Sequence, residues 1–149
     1  MKKIKLREGD QAPDFEIQDQ EGDLRTLEEF NGKLLLLYFY PKDNTPGCTN
    51  EACGFRDSYD DLIRYVHVVG VSGDSVDSHQ KFAGRHGLQF PLLADTKKEM
   101  IHAYGADGVF FSRRVSFLIN REGTIVKIYE KVNPLEHPDE VMEEVAALQ

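Results

Sequence analysis

The chain has 149 residues, 40% of them hydrophobic, which suits one globular domain over 1–149 with a sizeable core. Its formal charge of −8 argues against a nucleic-acid or anionic-membrane partner, and its longest apolar run, the seven residues Leu34 to Tyr40, is too short to cross a bilayer. Met1 to Lys5 carries charge with no apolar run behind it, so no secretory signal is expected, and two cysteines in such a chain point to a reducing cytoplasm and to reactive thiols.

Gly9 to Pro13 reads as a loop, and Phe15 to Ile17 followed by Glu21-Gly22-Asp23 and Leu24 as a short hairpin. Thr26 to Phe30 predicts a brief helical turn closed by Asn31-Gly32. Leu34 to Tyr40 is apolar at every position, as a central strand covered on both faces requires, and Pro41 ends it. The helix that follows places Ala52, Phe55, Tyr59, Leu62 and Ile63 on one stripe. Val66 to Ser72 is a second buried strand, and Asp74-Ser75 opens a helix to about His86, stopped by Gly87.

Phe90 to Ala94 is a short strand that Pro91 confines to its start or to an edge. Asp95 or Thr96 caps a helix to about Tyr104, ended by Gly105. Val115 to Asn120 and Thr124 to Glu130 form a hairpin turning at Arg121 to Gly123. The last helix opens at Pro138 and buries Val141, Val145 and Leu148. This order of elements predicts an α/β protein, with a central mixed sheet, helices on both faces and an N-terminal hairpin.

Chemistry concentrates in Tyr38 to Arg56, which holds both cysteines. Thr45 is a good N-cap and Pro46 a good N1 residue, which puts Cys48 at N3. There, unpaired amides and the helix dipole favour a thiolate, so Cys48 is expected to be more acidic than a free thiol. Cys53 lies five residues on, about 8.7 Å away at Cα in an ideal helix and beyond the ~7 Å that a disulfide spans. A bond between them requires this helix to unwind. Gly54 lowers helix propensity there by roughly 1 kcal/mol relative to Ala.

Pro41-Lys42-Asp43-Asn44-Thr45-Pro46-Gly47-Cys48, with Glu51 and Cys53 behind it, resembles a peroxiredoxin of the bacterioferritin-comigratory, or Q-type, subfamily. Gly9 to Phe15 resembles the family's N-terminal segment, and Arg114 to Ile119 its arginine-bearing strand. The resemblance implies a thioredoxin-like fold and a peroxidase that reduces hydrogen peroxide and organic hydroperoxides without a cofactor or metal. It implies Cys48 as the attacking thiolate, oxidised to a sulfenic acid, and Cys53 as the resolving thiol that gives an intramolecular disulfide. Recycling would fall to thioredoxin or a similar dithiol protein, acting on a monomer.

Thr45 would cap the helix or also hold the thiolate and peroxide, and Pro41 would shield the sulfur as well as ending the strand. Arginine suits the remaining task, as an always-charged fork. Of Arg113 and Arg114, strand alternation lets only one reach the sulfur, and the resemblance selects Arg114. Glu51 reads either as the carboxylate orienting that arginine or as an acid near a helix start. Cys53 has the alternative of a small buried apolar residue.

The five histidines, His67, His79, His86, His102 and His137, make no metal pattern with the cysteines, and His79 with His86 reads as a surface pair. His67 or His102 would be the base of a Cys-His hydrolase. Phe110 and Phe111 are expected either to pack within their loop or to line a peroxide entrance. A second class of function is a thiol-disulfide switch, holdase or exchanger with slow peroxide turnover. Four residues between the cysteines, in place of the two of a thioredoxin-type exchanger, favour the peroxidase.

Overall fold

The computed structural model describes residues 4–149, so Met1 to Lys3 of the expected non-signal segment lie outside it. Five strands, β3 (Leu34–Phe39), β4 (Val66–Ser72), β5 (Leu92–Ala94), β6 (Val115–Ile119) and β7 (Ile125–Tyr129), form one mixed sheet in the order β5-β4-β3-β6-β7. β3 runs parallel to β4 and antiparallel to β6. A separate hairpin of β1 (Glu16–Gln18) and β2 (Leu24–Thr26) precedes it, followed by a single 3-10 turn at Glu28–Phe30.

β3 is the centre because every residue in it after Leu34 is buried. Leu35, Leu37 and Phe39 face one core with Val69, Val71, Phe117, Tyr104 and Phe30, while Leu36, Tyr38 and Tyr40 face another with Phe55, Leu62, Phe82, Phe90 and Val141. The period of two along a strand splits an unbroken apolar run between two helical layers. Gly70, opposite Tyr38 in β4, has a packing role: a Cβ there would lie 2.9 Å from Tyr38 Cζ and from Leu92 Cδ2.

The helices are α1 (Pro46–Asp57), α2 (Tyr59–Leu62), α3 (Val76–His86), α4 (Glu99–Ala103) and α5 (His137–Ala147). The single helix expected after Cys48 is therefore two, broken at Ser58, although Leu62 still reaches the core. Ser75 caps α3 by accepting from the Ser78 amide, and Gly87 ends it at φ 61°, a left-handed position that glycine fills without strain. α4 starts later than expected, at Glu99: Thr96 and Lys97 form a turn, and Asp95 accepts from the Ile101 amide at 2.7 Å. Leu148 lies beyond α5 and is half exposed, so only Val141 and Val145 of the expected trio are buried.

The N-terminal segment pairs with the outer strands. Gly9 donates to the Ile125 carbonyl and Ile125 to the Asp10 carbonyl on β7, while the Gln20 amide donates to the Phe90 carbonyl and accepts from the Leu92 amide at β5.

Candidate active site

The register of the sheet decides where the chemistry lies. Phe39 pairs with Val115, so the end of β3 and the start of β6 meet at one rim, and Pro41 and Arg114 emerge there together. Arg113 and Arg114 precede β6 rather than lying in it, so the bend before the strand, not strand alternation, aims Arg114.

Between Tyr40 and Thr45 the chain is held by a buried polar cluster that sequence reading missed. Asp43 accepts from Tyr40 Oη at 2.7 Å and Ser78 Oγ at 2.9 Å, and its Oδ2 lies 2.7 Å from His79 Nδ1. The other His79 nitrogen, Nε2, lies 2.9 Å from the Leu93 carbonyl, and the Asp43 amide donates to Asp74 at 2.9 Å. His79 is thus fully buried and structural, not half of a surface pair with His86. The available signal was its place on the α3 stripe with Phe82 and Ala83. With Asp43 pinned, Asn44 takes φ 65°, a left-handed position that asparagine tolerates better than most side chains, and the chain turns into α1.

α1 begins as expected, with Thr45 at the N-cap, Pro46 at N1 and Cys48 at N3. The Thr45 hydroxyl, however, does not cap the helix: it donates to the Lys42 carbonyl at 2.8 Å, while the Thr45 carbonyl accepts from the Thr49 amide. The first-turn amides at Gly47 and Cys48 have no intrahelical acceptor. Cys48 is buried, and Arg114 Nη2 donates to its Sγ at 3.3 Å. The other arm of the guanidinium, Nη1, donates to Glu51 Oε1 at 2.7 Å. Gly47 permits this approach, since a Cβ there would lie 3.0 Å from Arg114 Nη2.

Glu51 is one helical turn after Cys48 and wholly buried. Burial raises its pKa from 4.5 to about 7, against the opposing pull of the Arg114 charge. Its Oε2 has no hydrogen-bond partner among the described residues, nor does Tyr38 Oη. Burial disfavours the charged form of Arg114, but Glu51 and Cys48 outweigh it and hold the guanidinium above its ordinary value. A helix-start acid favoured only by the dipole would sit at the surface, whereas Glu51 is buried and bonded to Arg114.

The remaining candidates divide clearly. Pro41 is half buried and shares a cleft of about 150 Å³ with Lys98, Phe110, Phe111 and Ser112. Phe110 and Phe111 are exposed rather than packed within their loop, with Lys42 Nζ 5.7 Å from the Phe111 ring centroid. Cys53 shares α1 with Cys48, and both thiols are free. Its partial burial does not match the small core residue of the alternative reading. His67 packs edge-on against Phe30 and His102 lies 3.1 Å from Asp107, so both imidazoles are committed away from the thiol. His137 is buried between Ser116 and Glu140, where desolvation lowers its pKa.

The arrangement can pass an electron pair from a sulfur to an oxygen held against a guanidinium and the amides of a helix end, and among the described residues neither His67 nor His102 is placed as a hydrolase base. On a thioredoxin-like sheet, that defines a thiol-dependent peroxidase. Residues 8–128 match the AhpC/TSA family, and the chain belongs to it. It is 38% identical over 145 residues to Peroxiredoxin Bcp of Bacillus subtilis, covering 91% of this chain and 92% of that one. It is 37% identical over 149 residues to the chloroplastic Peroxiredoxin Q of Sedum lineare, with 97% and 80% covered. The structure of Xylella fastidiosa PrxQ matches with a TM-score of 0.92 at 30% identity, over 96% of this chain and 97% of that one. The Xanthomonas campestris bacterioferritin comigratory protein, whose structures address its alkyl peroxide reduction activity, matches at 0.88 and 30%, over 98% and 99%.

Proposed function

We propose that Cys48 is the peroxidatic thiol of this peroxiredoxin, that Cys53 resolves it, and that Arg114, Thr45, Pro41 and Glu51 complete the site. The observation that carries this reading is the single guanidinium bonded at once to Cys48 Sγ and to buried Glu51. The Cys48 thiolate attacks one oxygen of a hydroperoxide; the S–O bond forms as the O–O bond breaks, and hydroxide or alkoxide departs with a proton from solvent. The sulfur is oxidised by two electrons to a sulfenic acid.

Arg114 has donors to share between the sulfur and the attacked oxygens, and Glu51 keeps its plane fixed during the transfer. Thr45 has committed its proton to the Lys42 carbonyl, which leaves its oxygen to accept the O–H of the hydroperoxide and orient it. Pro41 closes the apolar side of the site. Cys53 then condenses with the sulfenic acid, giving the Cys48–Cys53 disulfide and water. That step requires α1 to unwind, because the wound helix separates the two Cα atoms by about 8.7 Å. A thioredoxin-like dithiol protein reduces the disulfide and closes the cycle. We assign the protein to the cytoplasm, because two reactive cysteines suit a reducing compartment, and take it as a monomer by analogy with the subfamily.

The test is stopped-flow mixing of the reduced protein with one equivalent of hydrogen peroxide, quenched and weighed as intact protein. Loss of two mass units in the parent, no fast phase in Cys48→Ser, and a sulfenic acid trapped in Cys53→Ser are expected. A parent no faster than a simple thiol refutes the reading and leaves the switch or exchanger class.

A further inference from the structure

Cys53 has a polar neighbour that the roles above leave unused. Its Sγ lies 3.8 Å from Nδ1 of His86, the last residue of α3. The imidazole is held on several sides. Its ring meets Phe82 edge-on at 5.1 Å, and its backbone carbonyl accepts from Arg56 Nη1 at 2.9 Å. Gln89 Nε2 donates to the Arg56 carbonyl at 3.2 Å, so the ends of α1 and α3 are tied beside the sulfur. Arg56 also pairs with Asp57 at 3.0 Å. His86 and Arg56 both act on Cys53, and Asp57 pairs with Arg56 behind it. The last turn of a helix accommodates positive charge.

We propose that His86 is the general base for the resolving thiol: it takes the Cys53 proton while α1 is still wound, so that the segment delivers a thiolate to Cys48. This rests on the reading of Cys53 as the resolving thiol. With the ring proton on Nε2, Nδ1 is the acceptor that faces the S–H group. The proton passes from Cys53 Sγ to Nδ1, giving thiolate and imidazolium. The thiolate sulfur then attacks Cys48 Sγ of the sulfenic acid; the S–S bond forms, the S–O bond breaks, and the departing hydroxide takes a proton to become water. Thiol and sulfenic acid give disulfide and water, with no further oxidant or reductant. The order matters, because the unwinding that carries Cys53 to Cys48 also carries it away from α3. A thiol at neutral pH is only a few per cent thiolate, and the thiolate is the nucleophile, so priming before release gains about tenfold.

The test reads Cys53 directly, as its rate of alkylation by iodoacetamide in the Cys48→Ser protein, beside the same protein carrying His86→Asn. Near pH 7 the variant is expected to react about tenfold more slowly, and near pH 10, where a free thiol is ionised without a base, the two rates converge. Equal rates near pH 7 overturn the proposal. So does a deficit of the same size at both pH values, which marks a packing role alone. If His86→Asn does not fold, the proton resonances of His86 are followed against pH before and after S-methylation of Cys53. A changed titration supports the pairing, and superimposable curves overturn it. The peroxidase reading is checked separately, by dimedone trapping of Cys48 in Cys53→Ser, so failure of one is distinct from failure of the other.

Discussion

Replacing Glu51 by glutamine removes a buried carboxyl and keeps an oxygen for Arg114, which makes the pH dependence of folding a direct reading of this group. The comparison is made in the Cys48→Ser background, so that no thiol at that position titrates. The folded carboxyl releases its proton at about 7 against an ordinary 4.5, because burial outweighs the arginine. Between those values the native state holds a proton that the unfolded chain has lost. The associated stability is therefore fully present below pH 4.5 and is lost as the pH rises through 7. That difference is worth about 3 kcal/mol in all, most of it between pH 5 and pH 8. Urea unfolding at those two pH values gives the quantity. Raising the pH should cost the Glu51 protein about 2–3 kcal/mol more than it costs the Glu51→Gln protein. Parallel pH profiles would refute the account of Glu51 as a carboxyl whose burial dominates its pairing.

Arg114→Lys keeps a positive charge but cannot serve the sulfur and Glu51 together, so the peroxide step should slow by about a hundredfold in stopped flow; a rate near the parent's would remove the guanidinium from the mechanism. Gly54→Ala places a Cβ 2.7 Å from Pro138 Cγ, and the overpacking, about 1–3 kcal/mol, should exceed the roughly 1 kcal/mol gained in helix propensity. Urea unfolding should report a net loss, recovered on adding Pro138→Ala; a stabilised Gly54→Ala would contradict the contact. Asp43→Ala leaves Tyr40, Ser78 and His79 without their shared acceptor and should cost about 3 kcal/mol by the same measurement, with slower peroxide reduction because the turn into α1 loosens. A loss under about 1 kcal/mol would mean that these groups find other partners.

The strands and the start of α1 were legible because their signals are local. An apolar run ended by Pro41, a Thr-Pro pair before Cys48, and Gly87 after α3 each act within a few residues. What the sequence left open depends on contacts between distant segments. The partner that distinguishes the two readings of Glu51 lies 63 residues away, at Arg114. His79 looked like a surface residue until Asp43 and the Leu93 carbonyl arrived from separate elements. Gly54 read as a weak point in a helix, whereas the structure gives it a steric reason: the N-terminal turn of α5 lies against it at Pro138. Thr45 capped the helix by propensity, but its hydroxyl went to a backbone acceptor three residues back. In these cases a local rule drew attention to the residue, and tertiary packing set its use.

The segment before β3 has a consequence for the protein's solubility. An open five-stranded sheet ends in two rows of unsatisfied amides and carbonyls, each a template on which a foreign strand can add. Here one stretch of chain occupies positions on both rows, with Gly9 and Asp10 against Ile125 on one side and Gln20 against Phe90 and Leu92 on the other. Removal of that stretch would bare both rims of the same molecule at once, and a sheet adhesive on two sides can propagate into a fibre, whereas one adhesive on a single side stops at a pair.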